Sequence, residues 1–408
     1  MTPAGAAPST PSTPEAILER RIAVCVGSGG VGKTTLAAAI GLAAARRGRR
    51  AVVVTIDPAR RLADSLGVGA LDNEPRPIPR EILERLGVPE NGSLCAMMLD
   101  MKRTFDDLVQ RFAPDTDTRE RILRNPIYQH VSDALAGSAE YSAMEKVFEI
   151  SEREEFELVV LDTPPSQHAL DFLEAPERLL EFLDSRLVHV LVHPALAAGR
   201  FGVRLFQRGT RRILGLIERV TGIGFLEDIS EFLLAFEGMS EGFAERARRV
   251  REVLLGPEAA FVLAAAPAGE SVAHARAFLD RLESTHVPLA GIVLNRIHLW
   301  PSGGAPPDEI PEGGDEGLAR SALSEALARD GGEGFPSEEA ARAALATVCG
   351  YAALVRRDAR SMASLEERAR QLGCFWRLVP ELPRDVHDLE GLARVAERVF
   401  DGPQGGEG

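Results

Sequence analysis

Gly27-Ser28-Gly29-Gly30-Val31-Gly32-Lys33-Thr34-Thr35 follows the apolar, β-prone run Arg21-Ile22-Ala23-Val24-Cys25-Val26 and precedes an Ala/Leu-rich stretch from Leu36 to Ala45. Strand, glycine loop and helix thus arrive in the order of a phosphate-binding loop. Glycines let the backbone wrap so that several N–H groups point inward, and the new helix turns its positive end toward the same space. The pattern predicts that Gly29, Gly30, Val31, Gly32, Lys33, Thr34 and Thr35 cradle a nucleoside triphosphate. Lys33 is placed to reach the β- and γ-phosphates, and Thr34 to offer its hydroxyl to Mg²⁺. Lys33, Lys102 and Lys146 are the only lysines among 47 basic residues. A lysine kept in this loop suits the task, because a compact ammonium fits between phosphates where a planar guanidinium is too large.

Outward from the loop, short β-prone runs recur at Ala51 to Ile56, Leu94 to Leu99, Leu158 to Leu161, Phe261 to Ala266, Ala290 to Leu294 and Phe375 to Val379, mostly separated by helical patterns. That alternation predicts an α/β fold, a doubly wound, mainly parallel sheet with helices on both faces. The runs are apolar throughout, as strands covered on both sides must be. Between Asp171 and Leu255 no strand pattern stands out, and residues 170–255 read as a helical insertion. Pro301 to Ala319 has four prolines, five glycines and five acidic residues without one Lys or Arg, so residues 301–337 read as a flexible acidic loop. Residues 20–402 then form one domain, with disordered tails at 1–19 and 403–408.

The chain has 408 residues, 45% hydrophobic content and a formal net charge of −14. Such a balance argues against nucleic acid as the main partner, which needs a basic face. Met1 to Pro14 is rich in Ala, Pro, Ser and Thr with no charged-then-apolar pattern, so a cytoplasmic address is expected. Leu187 to Ala198, an apolar stretch, contains His189, His193 and Pro194 and is too short to span a bilayer, so no integral membrane span is expected. Cys25, Cys95, Cys349 and Cys374 show no C-x-x-C spacing, and three of them lie in runs where a buried thiol acts as a small hydrophobe.

Three strand ends carry the remaining chemistry. After the second strand comes Thr55-Ile56-Asp57-Pro58-Ala59-Arg60-Arg61, and a carboxylate leaving the carboxyl end of a strand beside the phosphate loop lies where α/β sheets bind ligands. Asp57 is the candidate to orient or deprotonate an attacking water, with capping of the next helix as the alternative. Leu158 to Leu161 ends in Asp162-Thr163-Pro164-Pro165-Ser166-Gln167-His168. An aspartate ending a buried strand must pair or coordinate, so Asp162 is the candidate partner of Mg²⁺ through water, the Walker B residue. His168 reads either as a sensor or as a helix start. Asn295 ends the strand Gly291 to Leu294, where its amide offers a donor and an acceptor to a base edge. Arg296-Ile297-His298 does not continue as the guanine-selective N-K-x-D pattern, which favours adenine. Val379-Pro380-Glu381-Leu382-Pro383 supplies either a loop over the base, with Pro380 in contact, or a plain turn.

Together GSGGVGKTT, TIDPARRLADS, LDTPPSQHALDFL and LNR resemble the arsenite-pump and tail-anchored-protein-targeting ATPase family, the ArsA-like branch of the deviant Walker A P-loop proteins. The resemblance covers most of Arg21 to Asn295 and returns near Pro380. It implies a P-loop NTPase fold and ATP hydrolysis with Mg²⁺ in a dimer that handles a client or partner protein. By the same resemblance Asp57 acts on the hydrolytic water, Lys33 is catalytic, Thr34 and Asp162 serve the metal, and the helical insertion is the client subdomain. There Phe225, Leu226, Ile229, Phe232, Leu233 and Phe236 stand at helical spacing, either as a groove for an apolar client segment or as ordinary core.

Ser28 departs from the pattern. The family carries at that position an extra lysine that crosses the dimer interface, so the expected assembly is a homodimer, or a heterodimer with a related ATPase that retains the lysine. The family's arsenite-binding cysteines are also missing. Two other classes stay open: a nucleotide-gated scaffold with little turnover, and a positioning ATPase of the ParA or MinD kind. The long insertion and the glycine-rich run from Asp401 to Gly408 weigh against the last.

Overall fold

The computed structural model describes residues 13–57, 61–131, 138–163, 240–285, 287–302, 304–306, 316–331, 337–386 and 388–402. Eight strands form one sheet: β1 (Ile22–Val26), β2 (Arg50–Thr55), β3 (Arg76–Pro77), β4 (Ser93–Met98), β5 (Leu158–Asp162), β6 (Ala259–Ala265), β7 (Leu289–Ile297) and β8 (Phe375–Pro380). Their order is β3-β4-β2-β5-β1-β6-β7-β8. Every pairing is parallel except that of β3 with β4. The described helices are α1 (Glu15–Leu18), α2 (Lys33–Arg46), α3 (Arg61–Leu66), α4 (Arg80–Arg85), α5 (Met101–Phe112), α6 (Thr116–Arg124), α7 (Pro126–Val131), α8 (Ser138–Glu152), α9 (Ser240–Leu254), α10 (Gly269–Thr285), α11 (Glu316–Gly331), α12 (Ser337–Leu372) and α13 (Leu389–Phe400).

The apolar strands divide their side chains between two cores, as the period of two requires. Ala23 and Cys25 of β1 join a layer with α2 and α13, where Ile40, Leu392, Val395 and Val399 are buried. Ile22, Val24 and Val26 face the opposite layer with Val147 and Phe148 of α8, Val250 of α9 and Leu279 of α10. Helix α2 is Ala-rich, which lets it lie close to the sheet: a Cβ on Gly41 would stand 2.6 Å from the Val53 side chain. The two-residue strand β3 was not expected. It is exposed at the sheet edge, where Pro77, with no N–H to give, is tolerated in a ladder.

Two expectations are corrected. The expected tail at 1–19 is ordered from residue 13, because Ile17 and Leu18 of α1 are apolar and bury fully against the α2 layer. The expected acidic loop at 301–337 contains α11: no proline falls between Pro311 and Pro336, and the Ala/Leu/Ser-rich run after Gly317 has the propensity to form a helix against α12. Residues 164–239 lie outside the described residues, and with them His168 and, of the expected insertion at 170–255, residues 170–239 with the Phe225 to Phe236 stripe. The end of the insertion is α9, whose Val250 and Leu254 join the core layer under the sheet while Phe243 is buried against Phe105 and Phe112 of α5. Among the described residues no helix is long and apolar enough to cross a membrane.

Candidate nucleotide and metal site

Parallel strands all end on one edge, so the loops after β1, β2, β5, β7 and β8 converge there. The register brings Asp162 beside Cys25 on one flank and Thr55 on the other. A cleft of about 450 Å³ opens above them, lined by Gly30, Gly32, Lys33, Thr34, Thr35 and Asp57, with Asn295, Arg296 and the segment from Pro380 to Val386 on the far wall.

The glycine loop is shaped by steric demands that no other residue meets. Gly27 has φ 149°, and a Cβ there would sit 2.2 Å from the Ala264 carbonyl oxygen. Gly32 has φ 94° and caps α2, and a Cβ there would stand 2.2 Å from Asn295 Nδ2. The Asn295 amide donates from Nδ2 to the Val31 carbonyl at 2.9 Å and accepts at Oδ1 from the Arg296 N–H at 3.0 Å. These bonds use half of its capacity, leaving one N–H and one lone pair for a ligand in the cleft.

Lys33 is 6% exposed, and its ammonium donates to the Ser28 carbonyl at 2.8 Å, which folds the side chain back over the loop. Burial lowers the Lys33 pKa, while Asp162, Cys25 and Asp57 pull it up, so the net shift is downward. Further N–H groups remain for phosphate oxygens.

At the end of β5, Asp162 is 1% exposed. Thr34 Oγ1 donates to its Oδ2 at 2.7 Å and Thr55 Oγ1 to the same oxygen at 2.9 Å, whereas Oδ1 is buried with no hydrogen-bond partner. Burial raises the carboxyl pKa to about 6 against the opposing pull of the two hydroxyls and Lys33. A buried carboxylate oxygen without a partner is costly, and a cation would relieve it. The donor set of hydroxyl and carboxylate oxygen suits a hard divalent ion, and it fits Mg²⁺, which keeps waters and takes few protein ligands. Among the described residues no group of three or more His, Cys, Asp or Glu could form an all-protein cage.

Asp57 lines the cleft with its side chain 19% exposed, and its Oδ2 stands 3.9 Å from Arg61 Nη1. The described part of helix α3 runs from Arg61, and residues 58–60, between it and Asp57, lie outside the described residues. Arg60 lies outside the described residues. Of the other residues expected at the site, Pro380 lines the cleft, Val31 is buried beneath it and contributes the carbonyl that holds Asn295, and Gly29 is exposed on the loop. Ser28 is half-buried and donates to Ser271 Oγ at the start of α10, 3.4 Å away.

Several residues of the site carried no reading in the sequence. Thr55 and Thr163 do their work through hydroxyls at strand ends, Thr163 donating to the Cys25 carbonyl at 2.7 Å. Both sit beside an aspartate at the end of an apolar run, which is the signal that marks them. Arg296 enters the cleft wall through an irregularity of β7, and Arg384 and Asp385 through the loop after β8.

The model of the anion-transporting ATPase family matches residues 20–302, more than half of the chain. An ATPase GET3 of Malassezia globosa is 27% identical over 157 residues, 38% of this chain and 42% of that protein. A putative arsenical pump-driving ATPase 1 of Aquifex aeolicus is 26% identical over 247 residues, 58% of this chain and 53% of the relative. An ATPase get3 of Aspergillus terreus is 24% identical over 284 residues, 69% of this chain and 74% of the relative. Against the first two of these, the chain spans about half of the relative's length. The family match, falling on the strands and loops that build the cleft, shows that the chain belongs to the anion-transporting ATPase family.

Proposed function

We propose that this protein binds ATP with Mg²⁺ in the cleft and hydrolyses it, changing shape with nucleotide state. The observation that carries the reading is the buried Asp162 within the electrostatic reach of Lys33, with Thr34 and Thr55 sharing one carboxylate oxygen and the other left without a partner. Thr34, and Asp162 through water, would hold Mg²⁺, which when bound draws charge from the phosphate oxygens. Lys33 compensates the β- and γ-phosphates, and the loop N–H groups and the start of α2 face them. Asp57 accepts the proton of the attacking water or orients it. Asn295 presents its remaining donor and acceptor to the adenine edge beside Pro380.

The working unit in this reading is a cytoplasmic dimer whose nucleotide state controls a client or partner protein, an apolar segment being one such client. Support comes from the family membership and from relatives named for arsenical pumps and for GET3. A second reading, nucleotide binding with slow turnover until a related ATPase supplies a lysine, draws support from Ser28, whose hydroxyl is turned to Ser271. Phosphate release by the purified full chain, alone and with related ATPases, tests both. Lys33→Ala is expected to lower turnover about 10²- to 10³-fold. Turnover equal to the wild type in that variant would overturn the site.

A further inference from the structure

Strand β7 carries an irregularity at the cleft wall. In its pairing with β8, Asn295 lies opposite Val379 and Ile297 opposite Pro380, so Arg296 is an extra residue with no partner in the ladder. Arg296 is also the one non-glycine residue among those described with positive φ, at 62°. The bulge changes which way the following side chains point. Ile292 and Leu294 face the core layer of α8 and α10, and unbroken alternation would send Arg296 there too; instead Ile297 takes that face and is 1% exposed. The guanidinium is thereby spared burial and lines the cleft.

Released in this way, the side chain reaches the loop that follows the neighbouring strand β8. Arg296 Nε stands 4.0 Å from Glu381 Oε2 and its Nη2 stands 3.6 Å from Asp385 Oδ1. Glu381 and Asp385 bracket the segment that forms the far wall. The backbone at the same residue holds the other side, donating to Asn295 Oδ1. A left-handed conformation is unfavourable for a residue with a Cβ, and it persists where the surroundings hold it, often at functional sites.

We propose that Arg296 is a positioning residue that latches the segment from Glu381 to Asp385 over the nucleotide cleft, and that its two ion pairs set the rate at which bound nucleotide leaves. The proposal rests on the reading of this cleft as a nucleotide site. All three side chains are about half exposed or more, so each pair is weak and screened by salt. Weak pairs suit a latch that must open in every cycle.

The test is stopped-flow displacement of a fluorescent N-methylanthraniloyl ADP from the full chain with Mg²⁺, over a range of salt. Arg296→Gly keeps the positive φ and the N–H to Asn295 but removes the guanidinium. Its dissociation rate is expected to rise about 3- to 10-fold, the effect of two exposed ion pairs, with a smaller change in the association rate. Salt also weakens phosphate contacts, so the diagnostic quantity is the difference in salt slope between the wild type and Arg296→Gly. Arg296→Lys should recover part of the wild-type rate, and Glu381→Gln with Asp385→Asn should reproduce the loss. Equal rates and slopes for wild type and Arg296→Gly would overturn the latch while leaving the nucleotide site intact. Faster release in Arg296→Gly alone, with the double neutralisation silent, would place the guanidinium on the nucleotide and also overturn the latch. Absence of nucleotide binding by the wild type would overturn the site itself, and the latch with it.

Discussion

Thr55 Oγ1 lies 2.9 Å from Asp162 Oδ2, the same oxygen that receives the Thr34 hydroxyl. The start of α2 and the end of β2 thus fix the orientation of one buried carboxylate at the end of β5. Thr55 also accepts from the Asp57 N–H at 3.2 Å, so a single hydroxyl ties the metal side of the site to the residue proposed to act on water.

Thr55→Val keeps the shape of the side chain but removes the hydroxyl, leaving Asp162 with one donor fewer and the Asp57 N–H without this acceptor. The expected cost is about 1–3 kcal/mol. Thermal unfolding would show a Tm lower by several degrees, and titration calorimetry a weaker Mg²⁺-nucleotide affinity. An unchanged melting curve with unchanged affinity would show that Thr34 alone orients the carboxylate.

Asp57→Asn is expected to keep nucleotide affinity within about twofold while removing most turnover, since the substitution alters a base near the water and leaves the phosphate contacts alone. Binding and phosphate release measured on the same preparation separate the two effects. Parallel loss of both would make Asp57 part of the binding apparatus.

Gly32→Ala combines a positive φ with a Cβ placed 2.2 Å from Asn295 Nδ2. The strain is expected to exceed about 1 kcal/mol and to displace either the loop or the Asn295 amide. Nucleotide binding should be lost from a protein whose circular dichroism is unchanged. Wild-type affinity would mean that the loop can relax.

Asp358 of α12 is fully buried and accepts from both the His298 side chain, at 2.7 Å, and the His298 N–H, at 3.0 Å, with Arg357 on its other oxygen. Burial pushes its carboxyl pKa up, but the hydrogen bonds from His298 and Arg357 outweigh burial and hold it below the usual carboxylate value. A folded-state pKa below the unfolded one stabilises the protein above the unfolded value, and that stability is lost as pH falls through the folded one. Asp358→Asn should cost about 1–3 kcal/mol at neutral pH, and its gap from wild type in urea midpoints should narrow as pH is lowered past the ordinary carboxylate range. A gap constant with pH would contradict the ionised role.

The central part of the fold was legible because its signals are local. An apolar run such as Leu158–Asp162 declares a strand covered on both faces, and the aspartate at its end declares a site. The glycine loop likewise states its own geometry. Arg296 was illegible for the opposite reason: its bulge exists only in the register of β7 against β8, whose partners are more than seventy residues apart in sequence. Asn295 fell between, since its position at a strand end was readable but the loan of half its amide to Val31 and Arg296 was not. Helix α11 was missed because proline and acidic composition upstream, around Pro306 to Asp315, coloured a neighbouring segment whose own residues favour a helix.

Gly41 gives the proposed phosphate site a dependence that distance conceals. Two turns of α2, about 12 Å along its axis, separate it from Lys33. Its missing Cβ sets how closely the helix rests on Val53 and Leu94, and a rigid helix carries that spacing to its other end. The seating of the helix whose first residue is Lys33 therefore depends on a hydrogen atom in the hydrophobic interior, far from the cleft.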